Sequence, residues 1–239
     1  MTDLSNIKTT LNVSKPSPLH PVSRMRMLLL MLLIAFPVSP LMVWAQEDFR
    51  VDTISDALFQ HMQGKSFPEE CTISRSDLRM VSLLHVDFQG NTRHGVIICN
   101  KAIAKDMLDI FRELYRQRYP IAQIRPIDDF DANDERSMQA NNTSCFCYRV
   151  VNGSKHLSMH ARGLAIDLNP LQNPCVKRRK DGTLFIQPRT ARPYVNRART
   201  FKYKITHNDL AYRLFAQHGF TWGGDWRSLK DYQHFEKKP

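Results

Sequence analysis

Along residues 51–62 the apolar positions Ile54, Ala57, Leu58 and Met62 recur at helical spacing, which predicts an opening amphipathic helix ended by Gly64 and Pro68. Residues 80–88 read as a strand, Gly90-Asn91 as a turn and 95–99 as a returning strand, so a hairpin is expected. Over 101–118 the residues Ile103, Met107, Ile110, Phe111, Leu114 and Tyr115 share one helical face until Pro120 stops the pattern. A short strand over 121–127 follows. The acidic stretch 128–142 has no apolar period and predicts a surface loop with room for one helical turn, placed where it could line a cleft.

Residues 163–168 form a compact apolar strand that ends on Asp167 and is closed by Asn169-Pro170. Residues 175–204 are basic and rich in turn formers, Asp181-Gly182 among them, and read as an excursion from the core. Thr206 can cap a helix over 208–218 with Gly219 as its stop, and 222–235 completes the domain. Short strands alternating with only a few helices predict an α+β domain, a small antiparallel sheet with flanking helices. A doubly wound sheet would need more βαβ units.

Residues 1–45 stand apart from this pattern. Arg24 and Arg26 precede an apolar run from Met27 through Leu33 to Trp44, broken by Pro37 and Pro40, with compact residues at Val43 and Ala45. A signal peptide over residues 1–45 is expected. The alternative is an uncleaved anchor, because the run approaches the ~20 residues of a membrane span. Both readings export the remainder to the periplasm or cell envelope and restrict membrane contact to this segment. The polar stretch before Arg24 is long for a signal, so Met25 is the more typical start.

The 239 residues suit one catalytic domain with a sizeable core. The formal charge of +11 falls to +8 without residues 1–45, which carry Lys8, Lys15, Arg24 and Arg26 against Asp3. A basic exported protein is drawn to polyanions, and charge alone does not choose among envelope polymers, anionic lipid and nucleic acid. The run Lys177-Arg178-Arg179-Lys180 reads as a solvated face, and no nucleic-acid partner is expected. Five cysteines are too few for a disulfide scaffold and odd in number, so Cys145-Phe146-Cys147 reads as buried thiols or one disulfide rather than a metal cage.

Most of the nine histidines have plain explanations: His61 and His218 sit near helix ends, His85 and His94 in the hairpin, and His156 and His207 at surface or capping positions. His160 and His234 differ, because each lies beside turn-forming residues and near a carboxylate. Two imidazoles and one carboxylate satisfy a metal site that keeps a position open. Gly163 lets the chain turn between His160 and Asp167, and His234 must arrive from the C-terminal strand. The same three residues could instead begin a strand, cap a turn and fill a strand, and spacing alone leaves both readings open.

The stretch from Ser158 to Asp167 matches S-x-H-x-x-G-x-A-x-D at every specified position, and Asp231-Tyr232-Gln233-His234-Phe235-Glu236 closes the chain with an acid three residues before a His-Phe pair. This resembles the zinc D-alanyl-D-alanine carboxypeptidases of the VanY type. Phe111 to Tyr115, Tyr119-Pro120-Ile121, Asn142 to Phe146 and Trp222 to Trp226 extend the likeness, most of all to the branch with L-alanyl-D-glutamate endopeptidases. The resemblance implies a fold like that of hedgehog and D-Ala-D-Ala peptidases. It also implies an N-terminal part over 46–94, a zinc peptidase core over 95–239, and peptidoglycan stem peptides as substrate.

By the same resemblance His160, Asp167 and His234 bind Zn²⁺ and Asp231 is the general base. Arg149 faces the oxyanion or a substrate carboxylate, although a surface salt bridge is an equal reading and Arg125, Arg136 and Arg162 are also available. Ser158 binds substrate or orients the His160 loop, and Glu236 supports a ligand. Two departures stand out: many carboxypeptidases have glutamate in place of Asp231, and relatives often show a small or polar residue where Cys145-Phe146-Cys147 lies. A non-catalytic envelope-binding domain on the same fold is the rival reading. The Asn-x-Ser/Thr patterns at Asn141, Asn142 and Asn152 would be glycosylated only in a eukaryotic secretory setting, and the resemblance points to bacteria.

Overall fold

The computed structural model describes residues 48–151 and 155–238. The expected signal segment and Asn152 lie outside them. Strand β1 (Arg50–Thr53) comes first, paired with Ser82 to Arg79 of the next strand. Helix α1 (Asp56–Met62) follows, its Leu58 N–H held by the Ser55 hydroxyl at 3.2 Å. The expected helix over 51–62 is therefore shorter. Val51 and Thr53 are β-branched and extend an existing sheet edge, and Ser55 starts the helix where it can accept a backbone donor.

The expected hairpin is present and longer than its apolar core suggested. Strands β2 (Leu78–Val86) and β3 (Thr92–Asn100) pair from Leu78↔Asn100 to Val86↔Thr92. Asp87 closes the turn by accepting the N–H groups of Gln89 and Asn91. Helix α2 (Lys101–Arg116), capped by the Asn100 side chain on Ala102 N–H, buries Ile103, Met107, Ile110, Phe111 and Leu114. In β3, Ile97 and Cys99 join the core of α2, while Val96 and Ile98 face a second cluster with Met62 of α1, as a period of two requires.

Beyond Pro120 the expected strand over 121–127 shrinks to β4 (Gln123–Ile124), which pairs in parallel with β5 (Asn142–Thr143). Between them the acidic stretch folds into a 3₁₀ turn at Ile127–Phe130 and helix α3 (Asp134–Gln139), capped by Asn133. Strand β6 (Ala165–Asp167) follows a 3₁₀ turn at His160–Arg162.

The stretch 175–204 is not wholly an excursion. Strands β7 (Cys175–Arg178) and β8 (Leu184–Gln187) form a hairpin that a later strand joins. Helix α4 (Leu210–Gln217) is capped by Asp209 on Ala211 N–H rather than by Thr206, whose carbonyl accepts the Asp209 N–H in the turn before it. Strands β9 (Thr221–Trp222), β10 (Lys230–Asp231) and β11 (His234–Glu236) complete the chain.

The α+β class holds, with one modification: the antiparallel pairing is spread over three small sheets, β1-β2-β3, β10-β7-β8 and β6-β11-β9. Short strands broken by Gly and Pro cannot sustain one continuous ladder. The core runs from β2 and α2 to α4, where Phe215 stacks on Phe235 at 4.4 Å and meets Phe111 edge-on at 6.3 Å. Among the described residues no helix is long and apolar enough to cross a membrane.

Phe235 is fully buried, so Phe235→Ala should cost about 3–5 kcal/mol. Urea denaturation measures this, and an unchanged midpoint would place the C-terminal strand outside the cooperative core.

Candidate metal centre

Asp167 and His234 are brought together by strand register. In the β6–β11 pair His234 lies directly opposite Asp167, Phe235 opposite Ile166 and Glu236 opposite Ala165. Phe235 and Ile166 are fully buried in the core, so the alternation of a strand turns Asp167 and His234 to the other face as a cross-strand pair.

His160 arrives from the turn before β6. Gly163 takes φ +66° to end that turn, and a Cβ there would lie 2.7 Å from the Asn100 backbone nitrogen, whose N–H donates to the Gly163 carbonyl. Glycine is required twice over, by handedness and by the close approach to the start of α2. The chain then places His160 beside the 144–147 segment, where Asp167 N–H donates to Ser144 and Cys147 N–H to His160.

Three donor atoms meet as a near-equilateral triangle. His160 Nε2 lies 3.1 Å from His234 Nδ1 and 3.3 Å from Asp167 Oδ1, and His234 Nδ1 lies 3.2 Å from Asp167 Oδ1. Ligands about 2.1 Å from a tetrahedral ion stand about 3.4 Å apart, so these edges are those of a metal triad. The outward nitrogens are committed elsewhere: His160 Nδ1–H donates to the Cys145 carbonyl at 2.7 Å and His234 Nε2–H to Glu236 at 3.1 Å. In the neutral rings each bond selects the tautomer whose lone pair points inward.

Burial pushes the Asp167 carboxyl up, yet His160 and His234 outweigh it and hold it well below the ordinary carboxylate range. Burial pulls His234 down, but its hydrogen bonds to Asp167 and Glu236 raise it to about 10. The site thus stabilises a positive charge that a proton or a metal ion can supply.

Asp231 lines the same cavity, of about 220 Å³, with its Oδ1 buried and without a hydrogen-bond partner among the described residues. Burial first and the Asp167 charge second push its carboxyl up to about 6. A Cβ on Gly223 would lie 2.6 Å from the Asp231 carbonyl, so glycine lets the backbone pack closely against both Asp231 and His234. Three inward donors, a supporting carboxylate and a buried carboxylate with one unengaged oxygen fit a divalent cation.

Residues 152–237 match the family model described as D-alanyl-D-alanine carboxypeptidase. No curated protein and no solved structure gave a match. The recognition of this peptidase family is borne out over a stretch that contains the triad and Asp231. The carboxypeptidase match starts after Arg149 and after the likenesses at 111–115, 119–121 and 142–146. Metal dependence is general in such peptidases, and among the described residues His160, Asp167 and His234 are the one cluster able to hold an ion.

Arg149 lines the cavity with its Nε paired to Asp134 of α3, so it is a cleft cation and a salt-bridge partner at once. Burial raises the Asp134 pKa, against the pull of Arg149 and His160. Ser158 accepts the His160 N–H at 3.1 Å, which fits orientation of the loop. Arg125 and Arg136 are tied to Asp129 and Asp131 and do not line the cavity. All five cysteines are free, and Cys145 and Cys147 point to different carbonyls, at Gly163 and Ala132. Sequence reasoning missed Asp134, which an acidic stretch expected to line a cleft only hinted at, and the Cys145 carbonyl, which no side-chain pattern reveals.

Metal must displace the proton that the raised His234 holds, so affinity should rise with pH. Between pH 8 and 6 calorimetry with Zn²⁺ as the probe should find about one proton released per ion and a loss near tenfold per pH unit. An affinity independent of pH would contradict this donor set.

Proposed function

We propose that this chain is an exported Zn²⁺-dependent peptidase that hydrolyses an amide in the peptide stem of peptidoglycan. The observation that carries the reading is the triad at 3.1–3.3 Å sharing one cavity with Asp231, whose buried Oδ1 has no hydrogen-bond partner among the described residues. The family match supports a peptidoglycan substrate. Export rests on the basic and apolar run before Ala45.

His160, Asp167 and His234 would hold the ion. When bound, Zn²⁺ supplies Lewis acidity, lowering the pKa of a water toward ~7 and polarising an amide carbonyl. Asp231 takes the proton from water: its pKa of about 6 lies near operating pH, and Oδ1 is unengaged. The same carboxyl returns the proton to the leaving amine. Arg149, steadied by Asp134, is the cation for the oxyanion or for a substrate carboxylate. Glu236 holds the His234 ring, and Ser158 the His160 loop. An envelope-binding domain without turnover has no use for a buried Asp231 oxygen left without a hydrogen bond beside the triad.

Mass spectrometry of digested muropeptides separates the two reactions. Release of single D-alanine marks a D,D-carboxypeptidase, and a cut between L-alanine and D-glutamate marks an endopeptidase. Asp231→Asn should keep bound Zn²⁺ and lower kcat by about 10²–10⁴. No metal-dependent product on any muropeptide would overturn the peptidase reading.

A further inference from the structure

A second cavity, of about 380 Å³, adjoins the metal cleft and shares Arg149, Cys175, Gln187 and Asp231 with it. Its outer part is lined by Lys177, Arg179 and Phe185 of the β7–β8 hairpin. The pairings Asp231↔Cys175, Cys175↔Gln187 and Lys177↔Phe185 put these residues on one sheet face, since alternate strand positions share a side. The Arg179 guanidinium lies 5.7 Å over the Phe185 ring. Of the neighbouring acids, Asp181 accepts from Thr183 with its charge also acting on Arg179, and Glu135 accepts from Gln139 and the Arg189 backbone. One face thus runs from buried carboxylates at the triad to exposed cations at the rim.

We propose that this hairpin face is a subsite for a carboxylate borne along an acidic peptide substrate, away from the bond that is cut. The proposal rests on the peptidase reading. Strand geometry sets the reach: Lys177 is two positions from Cys175, about 7 Å along the strand, and Arg179 follows just past the end of β7. The terminal carboxylate of a substrate losing one residue lies only about 3.5 Å of chain from the scissile amide. The hairpin cations line the outer cavity and not the metal cavity, which matches a carboxylate two or more residues away. Arg149 serves the nearer position.

Stem pentapeptides with N-acetylated L-lysine, bearing either D-isoglutamate or its carboxamide D-isoglutamine, differ in this one charge. The Zn²⁺-loaded full chain should show a KM about tenfold lower for the acid than for the amide, with similar kcat. In the doubly substituted Lys177→Gln, Arg179→Gln protein the acid's KM should rise to that of the amide, whose KM should not move. Titration calorimetry of both peptides on Asp231→Asn protein reads the same preference without turnover. Equal affinities for acid and amide, or a preference that survives the double substitution, would overturn the subsite. Hydrolysis of neither peptide, with the binding preference intact, would instead count against the peptidase reading alone.

Discussion

The placement of His234 directly opposite Asp167 is the constraint on which the rest of the molecule depends. A strand has a period of two, so a slip of one residue would turn Phe235 toward the carboxylate and His234 into the core. The register is held by apolar packing: Phe235 stacks on Phe215 and meets Trp222, and Ile166 is fully buried beside it. The core therefore does more than stabilise the fold. It decides which face of two three-residue strands carries chemistry, and the Gly163 turn and the 144–147 segment bring the third donor to that face.

That face concentrates negative charge. Asp167, Asp231, Asp134 and Glu236 surround two imidazoles in a mostly buried space, and the upward pKa shifts of both Asp231 and His234 express the excess of negative charge. A divalent cation resolves it, because it compensates the carboxylates that burial would otherwise neutralise. Ion binding and folding are then coupled, with the bound form the more stable. The sign of charge reverses outward along β7 and β8, which orders the cleft from a metal end to a cation-rich end.

The site was more legible in the sequence than the sheets were. His160, Gly163, Asp167, Asp231 and His234 form a fixed pattern of donors and a turn, and such patterns survive in a linear reading. Strand extents did not, because pairing partners decide them. Val51 and Thr53 became a strand through β2, and residues 175–187 became a wall of the cleft only because β10 pairs with them. Asp134 was hidden for the same reason: its meaning lies in its direct ion pair with Arg149, fifteen positions later. The α2 helix, whose apolar face is self-evident, was read nearly whole.

The central claim is that two imidazoles and one carboxylate hold the metal, although Cys145, Cys147 and Cys175 lie close by. X-ray absorption at the zinc edge of the Zn²⁺-loaded protein tests it most directly. The expected result is a shell of nitrogen and oxygen at about 2.0–2.1 Å with the multiple-scattering signature of two histidines. Sulfur scattering at about 2.3 Å would contradict it and move the metal to the thiols.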